Sequence, residues 1–262
     1  MTTTVCDLTN QIITADTRWS CGSQGELKLS DGKHYLVYCD ETGFDKISIV
    51  GKTALVTAGH GMLIAEWKKW WSGAANPEER PMVEIDGYNV VNLAIIDLEK
   101  NEVIFDAGQK QALFCTVTNK IKAFTSGSGG AHAASHLLIE GCAKRAVSYA
   151  AQYDYCTGDF VSFACYKTSQ NNLNAQVNDY NDIVNGITQR GFVMALEMNK
   201  PSDKGLEVAQ HPLAVEIKAL FTSGKAVASA PVPGLREYKW TGETETRFVA
   251  AMERVHELRK AK

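Results

Sequence analysis

The sequence predicts an α+β fold of antiparallel sheets flanked by helices, and three observations carry that reading. Short runs rich in β-branched and aromatic residues open the chain and return after residue 160. Stretches with helical spacing lie between them, at residues 62–71 and 131–153. Of the 262 residues, 45% are hydrophobic, enough to bury the core of one large domain or of one domain with an appendage.

Taken in order, residues 3–6 and 11–15 are β-rich runs on either side of Leu8-Thr-Asn10, the pattern of a tight hairpin that builds the N-terminus into a sheet. Residues 20–45 are polar and rich in turn formers, with a strand-like run at 33–39, and read as an inserted hairpin or loop. Residues 46–58 alternate, so that Ile47, Ile49, Val50, Ala54, Leu55 and Val56 form a buried strand pair, and Gly59 marks the junction to the helix at 62–71. Residues 83–98, 103–105 and 112–124 continue the strands as far as the glycine-rich run 125–130. A helical region at 131–153, broken at Gly141, and a strand at 160–166 complete a core by about residue 167.

From residue 168 the composition turns asparagine-rich (Asn171, Asn172, Asn174, Asn178, Asn181, Asn185), then apolar at 192–198, then proline-containing around Pro231 and Pro233. Nothing there reads as a repeat or as chemistry. Residues 243–262 carry Phe248, Met252 and Val255 at helical spacing, acidic at the start and basic at the end, as the helix dipole favours, and predict an amphipathic helix that needs a partner surface. The expected organisation is therefore a core at 1–167 with an insertion at about 20–45, and an extension at 168–262 that completes the fold or mediates oligomer contacts.

A net charge of −3 without segregated blocks gives no footprint for nucleic acid or a membrane surface. No run of about 18 apolar residues occurs, and the N-terminus lacks the basic and apolar regions of a signal peptide, so a cytoplasmic location is expected. Seven scattered cysteines with no C-x-x-C pair point to reduced core thiols rather than to a disulfide framework or a zinc site.

Chemistry concentrates at the N-terminus. A threonine hydroxyl becomes a nucleophile when a base takes its proton, and a terminal α-amino group, with an ordinary pKa of about 7.7–8.0, can do so at neutral pH. Thr2 follows Met1 directly, and its small side chain suits removal of that methionine, on which the chemistry depends.

The segments Thr2-Thr-Thr-Val5 and Ala15-Asp-Thr-Arg18 together resemble the T-T-x-V and A-D-S/T-R pair that opens proteasome beta subunits and their bacterial relatives, which are N-terminal-nucleophile hydrolases. Lys46-Ile-Ser-Ile49 resembles the family's K-[IL]-x-x-I strand, and Ala58-Gly59 the A-G that follows it. Gly127-Ser-Gly-Gly130 resembles the G-S-G-G loop, and Asp154-Tyr-Cys-Thr-Gly158 the D-x-x-[ST]-G motif.

What the resemblance implies is a four-layer αββα sandwich of two antiparallel sheets. It implies threonine-type peptide hydrolysis through an acyl-enzyme, with Thr2 supplying hydroxyl and amine. Lys46 would sit beside Thr2 and lower its proton affinity, with Asp16 neutralising and orienting Lys46. Gly59 would present its N–H to the oxyanion, and Ser128, Asp154 and Thr157 would hold the amine in place. No cofactor and no metal are called for. The family implies a peptide or unfolded-protein substrate, a homo-oligomer that can form a ring, and an ATPase partner that feeds it. Departures from the pattern are the insertion between Arg18 and Lys46, a short helical stretch between Ser128 and Asp154, and the long tail.

Other readings stand beside this one. Retained fold and residues also fit a catalytically inactive structural or binding subunit, and the same chemistry fits an amidase acting on a small molecule. The 126–130 run resembles an anion cradle but lacks a P-loop ending. His132 and His136 share a helix face without a third ligand, and Trp67, Trp70 and Trp71 fit packing or subunit contact better than a base-stacking platform.

Overall fold

A computed structural model describes residues 2–22, 27–197, 199–201 and 203–260. The fold is mixed α+β, with six helices and several antiparallel sheets among these residues. The strands are β1 (Thr4–Asp7), β2 (Ile12–Asp16), β3 (Trp19–Cys21), β4 (Tyr35–Cys39), β5 (Ile47–Val50), β6 (Thr53–His60), β7 (Glu84–Ile85), β8 (Tyr88–Asn89) and β9 (Val91–Asp97). They continue as β10 (Glu102–Ala107), β11 (Gln111–Phe114), β12 (Ile121–Ser126), β13 (Val161–Cys165), β14 (Gln170–Asn171), β15 (Phe192–Ala195), β16 (Leu206–Glu207) and β17 (Ser229–Ala230). The helices are α1 (Gly61–Ser72), α2 (Gly130–Glu140), α3 (Ala143–Ala151), α4 (Tyr180–Arg190), α5 (Ala214–Thr222) and α6 (Gly242–Lys260).

The six-stranded sheet runs β11-β12-β1-β2-β13-β14. Its centre is the N-terminal hairpin, with Val5 opposite Thr14 and Thr4 flanked by Ala15 and Ser126. The nine-stranded sheet runs β10-β9-β6-β17-β3-β4-β15-β16, with β5 also on β6. Residues 20–45, which read from sequence as an insertion, thus contribute β4 and the end of β3 to the larger sheet. There Trp19, Val37 and Cys39 are buried. The 168–262 segment supplies β15 and β17 to the same sheet. β7 and β8 form a separate small ribbon.

Alternation along the central strands sends their side chains to two faces. On one face of the smaller sheet, Val5 and Ala123 pack on Ala134, Leu137, Ala146 and Val147 of α2 and α3. On the other, Cys6, Ile13, Ala15 and Phe124 meet Ile47, Ala54, Val56 and Ile96 of the larger sheet. That larger sheet turns Leu55, Leu93 and Ile95 towards Trp67 and Trp71 of α1 and Phe248, Met252 and Val255 of α6. The terminal helix therefore finds its partner surface within the chain. A further cluster joins Trp19 and Val37 to Ile183, Ile187, Ile217 and Phe221 of α4 and α5.

Local chemistry sets the helix limits. Gly141 ends α2 in the left-handed conformation at φ 67°, a position that suits glycine, and a capping box of Asp179 and Asp182 opens α4. All seven cysteines are free thiols, and Cys6, Cys21, Cys39 and Cys156 are buried. No helix among the described residues is long and apolar enough to cross a membrane.

Candidate active site

The hairpin β1–β2 sets the site, because its register lays Thr2 and Thr3 alongside Asp16. The backbone N–H of Asp16 donates to the Thr3 carbonyl at 3.0 Å. Thr2 is fully buried, and its hydroxyl donates to Asp16 Oδ1 at 2.5 Å. Met1 lies outside the described residues.

Asp16 is the hub. Its Oδ1 accepts from Thr2 Oγ1, from Thr3 N at 2.7 Å and from Lys46 Nζ at 2.9 Å, while Oδ2 accepts from Arg18 N at 3.0 Å and Gly158 N at 3.1 Å. This load uses the acceptor capacity of an ionised carboxylate on both oxygens. The carboxylate itself is wholly buried, so these donors replace the water it loses.

Lys46, at the head of β5, spends its ammonium hydrogens on Asp16 Oδ1, on the Asp16 carbonyl at 2.9 Å and on the Arg18 carbonyl at 2.8 Å. Burial pushes this ammonium below its ordinary pKa, and the adjoining Asp16 opposes that shift. Thr2 Oγ1 and Lys46 Nζ thus share Asp16 Oδ1, and the carboxylate joins the two side chains.

Ser128, Asp154 and Thr157 form a second group. Asp154 Oδ2 accepts from Ser128 Oγ and, at 2.5 Å, from Thr157 Oγ1. Thr157 lies 2.7 Å from Thr3 Oγ1. A hydroxyl has one hydrogen, and Thr157 gives its own to Asp154, so Thr3 donates to Thr157. The two groups therefore join through the Thr2–Thr3 backbone. The sequence reading does not single out Thr3; its position in the T-T-x-V motif is the signal that could have done so.

The glycines of the 127–130 loop are explained by proximity. A Cβ on Gly127, whose φ is +92°, would lie 1.8 Å from the Thr2 carbonyl oxygen, and one on Gly129 would lie 2.1 Å from Thr3 Oγ1. Gly59 lies near the end of β6 at φ +120°, and a Cβ there would lie 2.1 Å from the Val90 carbonyl oxygen. The Thr57 N–H donates to the Lys46 carbonyl at 2.9 Å, which places Gly59 a short step along the strand from Lys46.

Beyond this network, Arg18 forms a two-pronged ion pair with Asp40, at 2.6 and 2.8 Å, and lies 3.9 Å from the Tyr38 ring centroid. Burial works against its charge, yet Asp40 raises the guanidinium above its ordinary pKa. Arg18, Asp40 and Thr157 line a cleft of about 710 Å³ together with Arg190, Phe192 and Lys204. A second cleft, of about 300 Å³, adjoins Gly59, His60, Asn89 and Ser229.

The other sequence candidates have packing roles. His132 and His136 stack on Tyr153 and Tyr149, and the described residues contain no cluster of metal-ligating side chains. Trp67 and Trp71 are fully buried beneath α6. Neither the family models nor the curated proteins compared with this chain match it.

Proposed function

We propose that the protein is a threonine-type peptide hydrolase of the N-terminal-nucleophile class, built as the four-layer αββα sandwich of the proteasome beta-subunit family. The observation that carries the proposal is the contact of the Thr2 hydroxyl with Asp16, whose carboxylate also holds the buried Lys46. The packing of two sheets between helical layers supports the fold assignment.

In this reading Met1 is removed, because an acylated nitrogen has no basicity. The freed amine of Thr2 takes the hydroxyl proton, Oγ1 attacks the scissile carbonyl, and the Gly59 N–H stabilises the oxyanion. The amine then protonates the leaving nitrogen, and water releases the acyl group by the reverse sequence. Asp16 and Lys46 hold a fixed field around the nucleophile, and the Ser128–Asp154–Thr157 group orients the N-terminal backbone through Thr3. A homo-oligomer, an ATPase partner and a cytoplasmic setting belong to the same proposal.

A second reading, hydrolysis of a small amide, draws on the complete burial of Thr2 and the modest cleft beside Gly59. Intact mass and N-terminal sequencing of protein purified from cells, followed by a threonine-directed epoxyketone or β-lactone, test the shared nucleophile. A mature Thr2 terminus carrying the probe, lost in Thr2→Ala, is the expected result. Retained Met1 with no labelling removes both enzymatic readings and leaves the inactive subunit. Turnover of unfolded polypeptide against small amides then separates the two enzymes.

A further inference from the structure

The larger sheet contains an anomaly beside the site. Its β3 and β6 are not neighbours: β17, from the distant segment before α6, lies between them. Ser229 pairs with Ser20 on one side and His60 on the other, and Ala230 pairs with Gly59. The edge of β6 is shared end to end, with β5 covering residues 53–56 and β17 covering 59–60.

The segment is built like a bound peptide. Ala226, Ala228, Ala230 and Val232 are buried while Val227, Ser229 and Pro231 are partly exposed, the period-two alternation of an extended strand. The Ala228 N–H donates to the Tyr180 hydroxyl at 2.9 Å, and its carbonyl accepts from the Gly61 N–H at 3.0 Å. Pro231 and Pro233, which have no N–H, end the ladder.

Among the described residues it is held by one pairing to β3 and two to β6, whereas β6 and β9 pair along seven positions. Its inward side chains are mostly alanines, which anchor less apolar area than the residues around them. Segments with few ladder bonds and little buried apolar area open at the lowest free energies. Displacement would leave two facing strand edges, one carrying Gly59, and an extended peptide can pair with such edges by strand addition.

We propose that residues 225–233 are an internal occupant of a peptide slot between β3 and β6, and that an extended peptide with small residues at alternate positions exchanges for them next to Gly59. The resting chain is thereby self-blocked. This inference rests on the Thr2-nucleophile reading for its catalytic meaning, but strand exchange itself is measurable without catalysis.

The test uses the full chain carrying Thr2→Ala and a fluorescent peptide that copies residues 225–231. Ala230→Pro deletes an N–H within the strap, and the milder Ala228→Gly removes a fully buried methyl and loosens the strand, while the added peptide keeps its alanines. Both are expected to bind the peptide at least about tenfold more tightly than the parent. On the parent itself, saturating peptide is expected to abolish amide hydrogen-exchange protection at residues 226–230. Equal affinity in parent and Ala228→Gly, or protection that survives saturation, overturns the proposal whether or not Ala230→Pro folds. Labelling of Thr2 by a small β-lactone in the otherwise unaltered chain reports separately. Labelling without exchange keeps the nucleophile and discards the strap, and exchange without labelling does the reverse.

Discussion

The ammonium of Lys46 and the carboxylate of Asp16 lie 2.9 Å apart with no solvent exposure of either side chain. Removing one member of such a pair strands the other charge in the interior. Lys46→Met is therefore expected to cost about 3–5 kcal/mol in urea unfolding. Asp16→Asn combined with Lys46→Met should cost less than the sum of the single changes, because neither charge is then left alone.

Lys68 offers a pH signature. Its ammonium donates to the carbonyls of Asp45 and Val177 at 2.9 and 3.1 Å, and burial lowers its pKa from 10.5 to about 8. Between about pH 8 and 10.5 the unfolded chain holds the extra proton, so this residue makes stability rise with pH across that window. Lys68→Met is expected to remove that rise when unfolding curves of the two proteins are compared across the window.

The docking of α6 depends on Phe248, which is fully buried with ring centroids of Phe105, Trp240 and Trp67 at 5.2, 5.7 and 5.9 Å. Phe248→Ala is expected to cost about 3–5 kcal/mol by denaturant unfolding. Its more exposed neighbour Val249 is the control, and Val249→Ala should change stability by no more than about 0.5 kcal/mol.

Gly127→Ala separates backbone strain from collision. Gly32 has a similar φ of +83° but nothing within 4 Å of an added methyl, so Gly32→Ala should cost only the left-handed backbone penalty, about 1–2 kcal/mol. At Gly127 the methyl must also displace the Thr2 carbonyl. The expected outcome is a larger loss of stability, read by denaturant unfolding, and loss of probe labelling at Thr2.

Much of the site's geometry follows patterns visible in the sequence, and the unreadable parts share a cause. The N-terminal hairpin is legible because Cys6, Ile13 and Ala15 alternate with Val5 and Thr14, which face the other way, and the same register aligns Asp16 with Thr3. The contact between Thr3 and Thr157 joins residues 154 apart and leaves no local trace. Residues 229–230 are equally silent. Two residues among alanines and prolines have no strand pattern of their own, and what makes them a strand is the pair of edges on either side. For the same reason the 20–45 stretch, with its polar turns, reads as an insertion although Val37 and Cys39 lie in the core beside Trp19.

The position of β17 also bears on how the molecule is made. The hydrogen bond from the Ser229 hydroxyl to the Ser20 carbonyl spans 209 residues of chain. During vectorial synthesis, the ladder uniting β3 with β6 cannot close until residue 230 has emerged from the ribosome. Contacts so distant in sequence form slowly, and until then the two edges are open to pairing with other chains. Late closure leaves these edges unpaired for an interval set by the time needed to translate the segment that follows β15.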